Sequence, residues 1–178
     1  MDVVGYYRLG QNIIDWIKPS TTAGWISENL TNINALGADV SFEYYFHHSF
    51  VRKLGLNYSY LQLDKSAGDF ISKYALDYLK HKVVLTVDHS IWNKLSASWN
   101  VSYLDRSGTY DANSVYGAPS VIKNFTPYFL LNGRLLWSQT KVDIFADVNN
   151  LLNTTYADYG GLTQPGINAT IGIRLKLK

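Results

Sequence analysis

The sequence predicts an all-β protein in which about eight antiparallel strands form a section of transmembrane β-barrel wall. Three features carry that expectation. Apolar and polar residues alternate in segment after segment, the pattern of a strand with one face in an apolar phase and the other in water. The connections between segments are short and long by turns, so one rim of the sheet should carry tight turns and the other extended loops. No run of about 18 uninterrupted apolar residues occurs, which excludes a helical membrane span and leaves strands as the means of crossing.

The elements follow in order. A less regular strand lies near residues 3 to 14. Val40, Phe42, Tyr44 and Phe46 then oppose Asp39, Ser41, Glu43 and Tyr45. Leu54, Leu56, Tyr58 and Tyr60 oppose Gly55, Asn57, Ser59 and Leu61, and Val83, Leu85, Val87 and His89 oppose Lys82, Val84, Thr86 and Asp88. Leu95, Ala97, Trp99, Val101 and Tyr103 give the cleanest case, set against Ser96, Ser98, Asn100, Ser102 and Leu104. Phe129, Leu131, Gly133, Leu135 and Trp137 form a further face, then Val142, Ile144, Ala146 and Val148. The last run puts Ile167, Ala169, Ile171, Ile173, Leu175 and Leu177 on one side and Asn168, Thr170, Arg174 and Lys176 on the other.

Short connections are expected near His47 to Ser49, Ile91 to Lys94 and Ser138 to Thr140, and long ones near 15–30, 64–80, 107–126 and 149–166. Most segments reach the roughly 9 to 11 residues that a tilted strand needs to cross the hydrocarbon. Their polar faces carry Asp39, Glu43, Lys82, Asp88 and Arg134, which suit a wet lumen and would be costly in a two-sheet core. Aromatics gather at strand ends in the manner of two interfacial girdles: Tyr58, Tyr60, Tyr103, Tyr128 and Phe129 by the long loops, and Tyr44, Phe46, Phe50, Trp92 and Trp137 by the turns.

Composition narrows the function classes. Aromatics make up 15% of the chain, more than a core of this size requires. A net charge of +2, with Lys and Arg scattered, gives no basic stripe and no reason to expect nucleic acid as a partner. Cysteine is absent, so thiolate metal sites are excluded. The opening residues lack a basic segment followed by an apolar core, so no signal peptide is expected in them. Residues 1–178 read as one structural unit.

The run Val148-Asn149-Asn150-Leu151-Leu152-Asn153-Thr154-Thr155-Tyr156-Ala157-Asp158-Tyr159, followed by Gln164-Pro165-Gly166, resembles the closing hairpin of TonB-dependent outer-membrane receptors. Tyr6-Tyr7-Arg8, Ile14-Asp15-Trp16-Ile17, Trp25 and Asn29-Leu30 resemble a strand-loop-strand unit of the cobalamin and siderophore branch. The resemblance implies the C-terminal part of a 22-stranded barrel, with no plug domain and no motif for the energy-transducing partner in this stretch. It implies uptake of a large scarce nutrient, namely a cobalamin, an iron–siderophore or haem. Implied partners are outer-membrane lipid and the remainder of the barrel and plug, from the same protein or a second chain. The TonB complex would be reached only through the plug. The ending Leu175-Lys176-Leu177-Lys178 departs from the aromatic last residue common in such barrels.

Candidate ligand-binding residues are Tyr74, Tyr78, Tyr110, Asn113 and Tyr116, because loops carry binding while strands carry the scaffold. The bland alternative for each is loop packing. The asparagines at 149, 150 and 153 read as turn chemistry, and Gly160-Gly161 and Pro165-Gly166 as loop punctuation. His81, near the long-loop rim, is the histidine placed to ligate haem iron, yet no histidine pair shows metal spacing with a carboxylate. No catalytic constellation, cofactor or resident metal is expected. Asn-X-Ser/Thr matches at Asn29, Asn57, Asn100, Asn124, Asn153 and Asn168 read as chance in an Asn-rich barrel. The competing readings are an autonomous eight-stranded outer-membrane barrel with a structural or adhesive role, and a soluble lipocalin-like carrier, which would need the faces reversed.

Overall fold

The computed structural model describes residues 1–65, 71–72, 78–113, 121–158 and 161–177. Its strands are β1 (Asp2–Lys18), β2 (Ile26–Tyr45), β3 (Val51–Lys65), β4 (Ile71–Ser72), β5 (Tyr78–Trp92), β6 (Leu95–Ser107), β7 (Thr109–Asp111), β8 (Ile122–Asn124), β9 (Tyr128–Ser138), β10 (Val142–Asn149), β11 (Ala157–Asp158), β12 (Leu162–Thr163) and β13 (Asn168–Leu175). The eight long ones form an antiparallel meander in the order β13-β10-β9-β6-β5-β3-β2-β1, with β4 added beyond β1. Two small hairpins, β7–β8 and β11–β12, stand in the long loops.

Register joins the apolar faces into one surface. Val3 lies level with Val40, then Tyr58, Val83, Tyr103 and Phe129. A second row runs Leu54, Val87, Trp99, Gly133, Val148, Ala169. None of these side chains is buried: Val3 is 63% exposed and Phe129 54%, and Ile171, two residues past Ala169 on the same face, is 78% exposed. A slip of one residue anywhere would turn a strand inside out, so the alternation itself fixes this register. Monomeric soluble proteins rarely leave a continuous apolar face of this extent open.

The opposite face is polar and equally continuous near the turn rim. Tyr45, Lys53, Asp88, Ser98, Arg134, Asp147 and Thr170 form one row across seven strands. There is little core: Ile17, Ile33, Ala35 and Tyr128 are buried toward the long-loop rim and Ala97 near the turn rim.

The sequence placed the strands well and some of their ends badly. The long loop expected at 15–30 shrinks to residues 19–25, because β1 and β2 continue their ladder from Ile13 opposite Leu30 to Ile17 opposite Ile26. This upper hairpin stands where no single apolar phase faces it, so its residues lose the alternation that reveals a strand. Asn12, with φ of 55°, marks the change: above it Ile14 and Trp16 are exposed while Asp15 and Ile17 are buried. Tyr128 was expected in the outer aromatic girdle beside Phe129. Adjacent strand residues point to opposite faces, and with Phe129 outward Tyr128 turns in and is 7% exposed. The six Asn-X-Ser/Thr sites sit in strands except Asn153, which lies in a turn.

Candidate functional site

The long loops do not stand apart but pack on one another over the polar face. Arg106, next to last in β6, makes an ion pair through Nη2 with Asp158 Oδ1 of β11, and its guanidinium lies 5.6 Å from the Phe125 ring. Phe125 meets Tyr110 of β7 at 4.8 Å between centroids, with the rings tilted by 34°. Tyr110 in turn rests on Gly161, where φ is 76° and an added Cβ would come within 2.7 Å of the tyrosine Cβ. Only glycine fits that approach at that backbone angle. Below them Tyr128 stacks on Tyr156 at 4.4 Å. Burial, and secondly the charge of Asp158, push the Tyr156 phenol above its ordinary pKa.

A second tie crosses the sheet. Lys18, at the top of β1, places Nζ 3.2 Å from Asp111 Oδ2 on β7 and 4.8 Å from the Trp25 ring centroid. Asp111 Oδ1 also accepts the backbone N–H groups of Asn113 at 3.1 Å and Val121 at 3.0 Å, so one carboxylate closes its own hairpin and anchors it to β1.

The last long loop is held by asparagine. Asn150, 3% exposed, donates through Nδ2 to the carbonyls of Thr154 and Pro165 and accepts the Thr154 N–H. Its own N–H donates to Asn132 Oδ1. Asn150 and Asn153 both have φ of 51°, the left-handed region that asparagine tolerates. The turn-chemistry reading holds for Asn150 and Asn153, whereas Asn149 ends β10 and donates across the ladder to Asn168 Oδ1 at 3.1 Å.

Of the five candidate ligand residues, Tyr110 and Asn113 come together on and beside the β7–β8 hairpin. Tyr78 is the half-buried first residue of β5, opposite Ser107. Tyr74 and Tyr116 lie outside the described residues. Sequence reasoning missed Lys18, Arg106, Asp111, Tyr156 and Asp158. The only signal for Arg106 was a cation at the end of an inward-facing row, directly past Leu104.

His81 lies in β5 near the long-loop rim, where the sequence reading has it. It shares the apolar face with Val83 and Leu85, with Nδ1 2.9 Å from the Tyr58 hydroxyl and its ring 5.2 Å from that of Tyr60. Among the described residues no group of three His, Asp or Glu side chains stands close enough to hold a metal ion.

The lumenal row near the turn rim is an ion-pair ladder. Lys53 reaches Glu43 at 2.5 Å, and Glu43 also accepts the Tyr45 hydroxyl at 2.9 Å. Ser98 donates to Asp88 at 2.5 Å. Arg134 grips Asp147 through Nε at 2.5 Å and Nη2 at 2.7 Å, a bidentate geometry that lysine lacks. A depression of 370 Å³ lies along this row, lined by Tyr45, Lys53, Asp88, Ser98, Arg134 and Leu136 among others. Asp39, Glu43, Lys82, Asp88 and Arg134 share one face of the sheet, opposite the apolar rows.

No family model matches the sequence, and no curated protein matches it. Among solved structures the chain is similar to the FrpB iron transporter from Neisseria meningitidis (F3-3 variant). The TM-score is 0.63 at 11% identity, over 96% of this chain and 28% of that one. The likeness shows the fold: this chain has the strand arrangement of part of that transporter, and spans little more than a quarter of its length.

Proposed function

We propose that the chain supplies eight strands of the wall of a bacterial outer-membrane receptor of the TonB-dependent kind, which takes up a large scarce nutrient such as an iron–siderophore, haem or a cobalamin. The observation that carries the reading is an open sheet with a membrane-type face. The apolar surface is continuous across all eight strands, yet no ladder joins β1 to β13 among the described residues. Unpaired strand edges are not tolerated in hydrocarbon, so further strands are required to close the wall. The likeness to part of an outer-membrane iron transporter supports the same reading.

In this reading the apolar face meets outer-membrane lipid, and the polar ladder faces a plug supplied by the same protein or a second chain. Through that plug the TonB complex would act. The clustered long loops form the mouth, where Tyr74, Tyr78, Tyr110, Asn113 and Tyr116 contact ligand. The role is passive: positioning and enclosure rather than catalysis. An autonomous eight-stranded barrel accounts for the even strand number, but it requires the β1–β13 ladder that the described residues lack.

The test is the mass of the native complex extracted from membranes in detergent, with its components identified by mass spectrometry. The expected result is association, covalent or not, with a plug and the remaining strands. Recovery of this unit alone, folded and heat-modifiable on a gel, overturns the receptor reading in favour of the autonomous barrel.

A further inference from the structure

β4 occupies an unusual seat. It follows β3, yet it pairs with the far edge of β1, passing both β2 and β1 in the sheet order to reach it. Its ladder is short: Lys18 faces Ile71 and Ile17 faces Ser72. Because β4 is antiparallel to β1, it runs from the long-loop rim toward the turn rim. A strand completing the wall on this side would run the same way, since neighbours in a meander alternate. β4 therefore stands at the head of the lane that the completing strand must enter, aligned with it.

The head of the lane is also fixed from within. Ile17 and Lys18 are buried, at 5% and 8% exposure, and Lys18 is tied to Asp111. Below them the edge of β1 from Asp2 to Trp16 has no ladder partner on this side among the described residues. On its apolar face Val3, Tyr7 and Leu9 are 63%, 61% and 66% exposed, while Asp2 and Arg8 lie on the lumenal face with no hydrogen bond or ion pair among the described residues.

We propose that β4 is a fixed cap that sets where the completing strand begins: this strand starts directly below β4 and pairs with β1 from Trp16 down to Asp2. The proposal rests on the receptor-wall reading, and it specifies the partner. The completing strand alternates, with apolar side chains level with Val3, Tyr7 and Leu9, a cation level with Asp2 and an acceptor level with Arg8. A loop that covers part of an edge blunts indiscriminate pairing there and leaves one register in which the incoming strand meets no obstruction.

The chain has no cysteine, so the double variant Ile17→Cys/Ser72→Cys holds a single disulfide that clamps β4 to β1. The complete membrane-assembled protein carrying it is compared oxidised and reduced, by heat-modifiability and by hydrogen exchange at the β1 amides. The proposal expects equal assembly in both states, with the β1 edge amides below Trp16 protected. Assembly when reduced but not when oxidised overturns it, because the completing strand then displaces β4. If the β1 edge amides exchange freely in both states of a folded, membrane-inserted protein, no strand enters the lane, and the receptor-wall reading fails ahead of the cap. Should the variant not fold even when reduced, Ile71→Pro, which blocks ladder formation by β4, serves instead. The expected result is then a loss of protection at the one amide of the Ile17–Lys18 pair that points to β4, together with heterogeneous pairing below it. Unchanged protection overturns the cap.

Discussion

Lys18 Nζ lies 3.2 Å from Asp111 Oδ2, joining the top of the edge strand to a hairpin that follows β6, four strands away across the sheet. Their side chains are 10% and 14% exposed, so the pair is far less screened than a surface ion pair. Asp111→Ala removes the ion pair and the one oxygen that accepts both hairpin N–H groups. The expected cost is about 2 kcal/mol of local stability, since two backbone donors lose their acceptor and Lys18 loses this carboxylate. Asp111→Asn keeps an acceptor and should cost less. Limited proteolysis in residues 107–126 reads the change: cleavage should accelerate in Asp111→Ala while heat-modifiability of the barrel persists.

Asn150 offers a sharper comparison because its backbone and side chain both matter. Asn150→Ala loses three side-chain hydrogen bonds and also strains a left-handed backbone position, whereas Asn150→Gly loses only the bonds. Alanine should therefore be the worse substitution, by roughly 1 kcal/mol. Thermal unfolding of the two variants in the same detergent gives the ordering, and equal midpoints would contradict the strain.

How far the sequence foretold these features depends on what each residue faces. β6 was legible because Leu95 to Tyr103 alternate against one apolar phase along their whole length. The tops of β1 and β2 were not, since above Asn12 the hairpin is covered by loops on one side and water on the other. The candidates Tyr110 and Asn113 were found as loop residues without their neighbours. Arg106 and Asp158 are 52 residues apart in sequence, and no local pattern announces such a pairing. The turn at Asn150 was legible because part of its chemistry is local, in its bonds to Thr154 four residues on, while its bonds to Asn132 and Pro165 were not.

Three aromatic rings lie across glycines on neighbouring strands: Tyr6 over Gly37, Trp99 over Gly133 and Phe145 over Gly172. A Cβ at Gly133 would stand 2.5 Å from the Trp99 ring. That ring is also held by its Nε1–H, which donates to His89 Nε2 at 3.0 Å. Gly133→Ala should therefore cost about 1 to 3 kcal/mol as overpacking and shift Trp99 emission. Gly172→Ala displaces only the end of Phe145 on the lumenal face and should be milder. Urea midpoints in detergent that rank the two in reverse order would show that Trp99 is free to move.

Tyr156 predicts a pH response confined to the mouth. Its phenol is held above the ordinary value of 10.0, first by burial and then by Asp158. The folded protein therefore keeps its proton to higher pH than the unfolded chain does, and the contribution to stability is present below pH 10 and lost as pH rises through the folded value. Proteolysis of the closing loop should accelerate above that pH. Tyr156→Phe should remove this part of the response, and a tyrosinate absorbance titration should lose one component that titrates above the ordinary tyrosine value.

The membrane assignment makes the most consequential prediction, because exposure alone argues the other way. Ile171 is 78% exposed, so in a soluble protein Ile171→Arg would be nearly neutral. Facing hydrocarbon at mid-strand, the same change should cost about 2 to 4 kcal/mol. Thr170→Arg, one residue earlier and on the lumenal face beside Asp147, should be tolerated or mildly favourable. Near the turn rim Trp92→Arg should cost no more than about 1 kcal/mol, since the penalty fades toward the interface. Folding into lipid vesicles, followed by denaturant titration, separates the three. A large penalty at Ile171 alone identifies the apolar face as the lipid face, whereas equal tolerance at all three positions would make it a surface that water wets and would remove the barrel-wall reading.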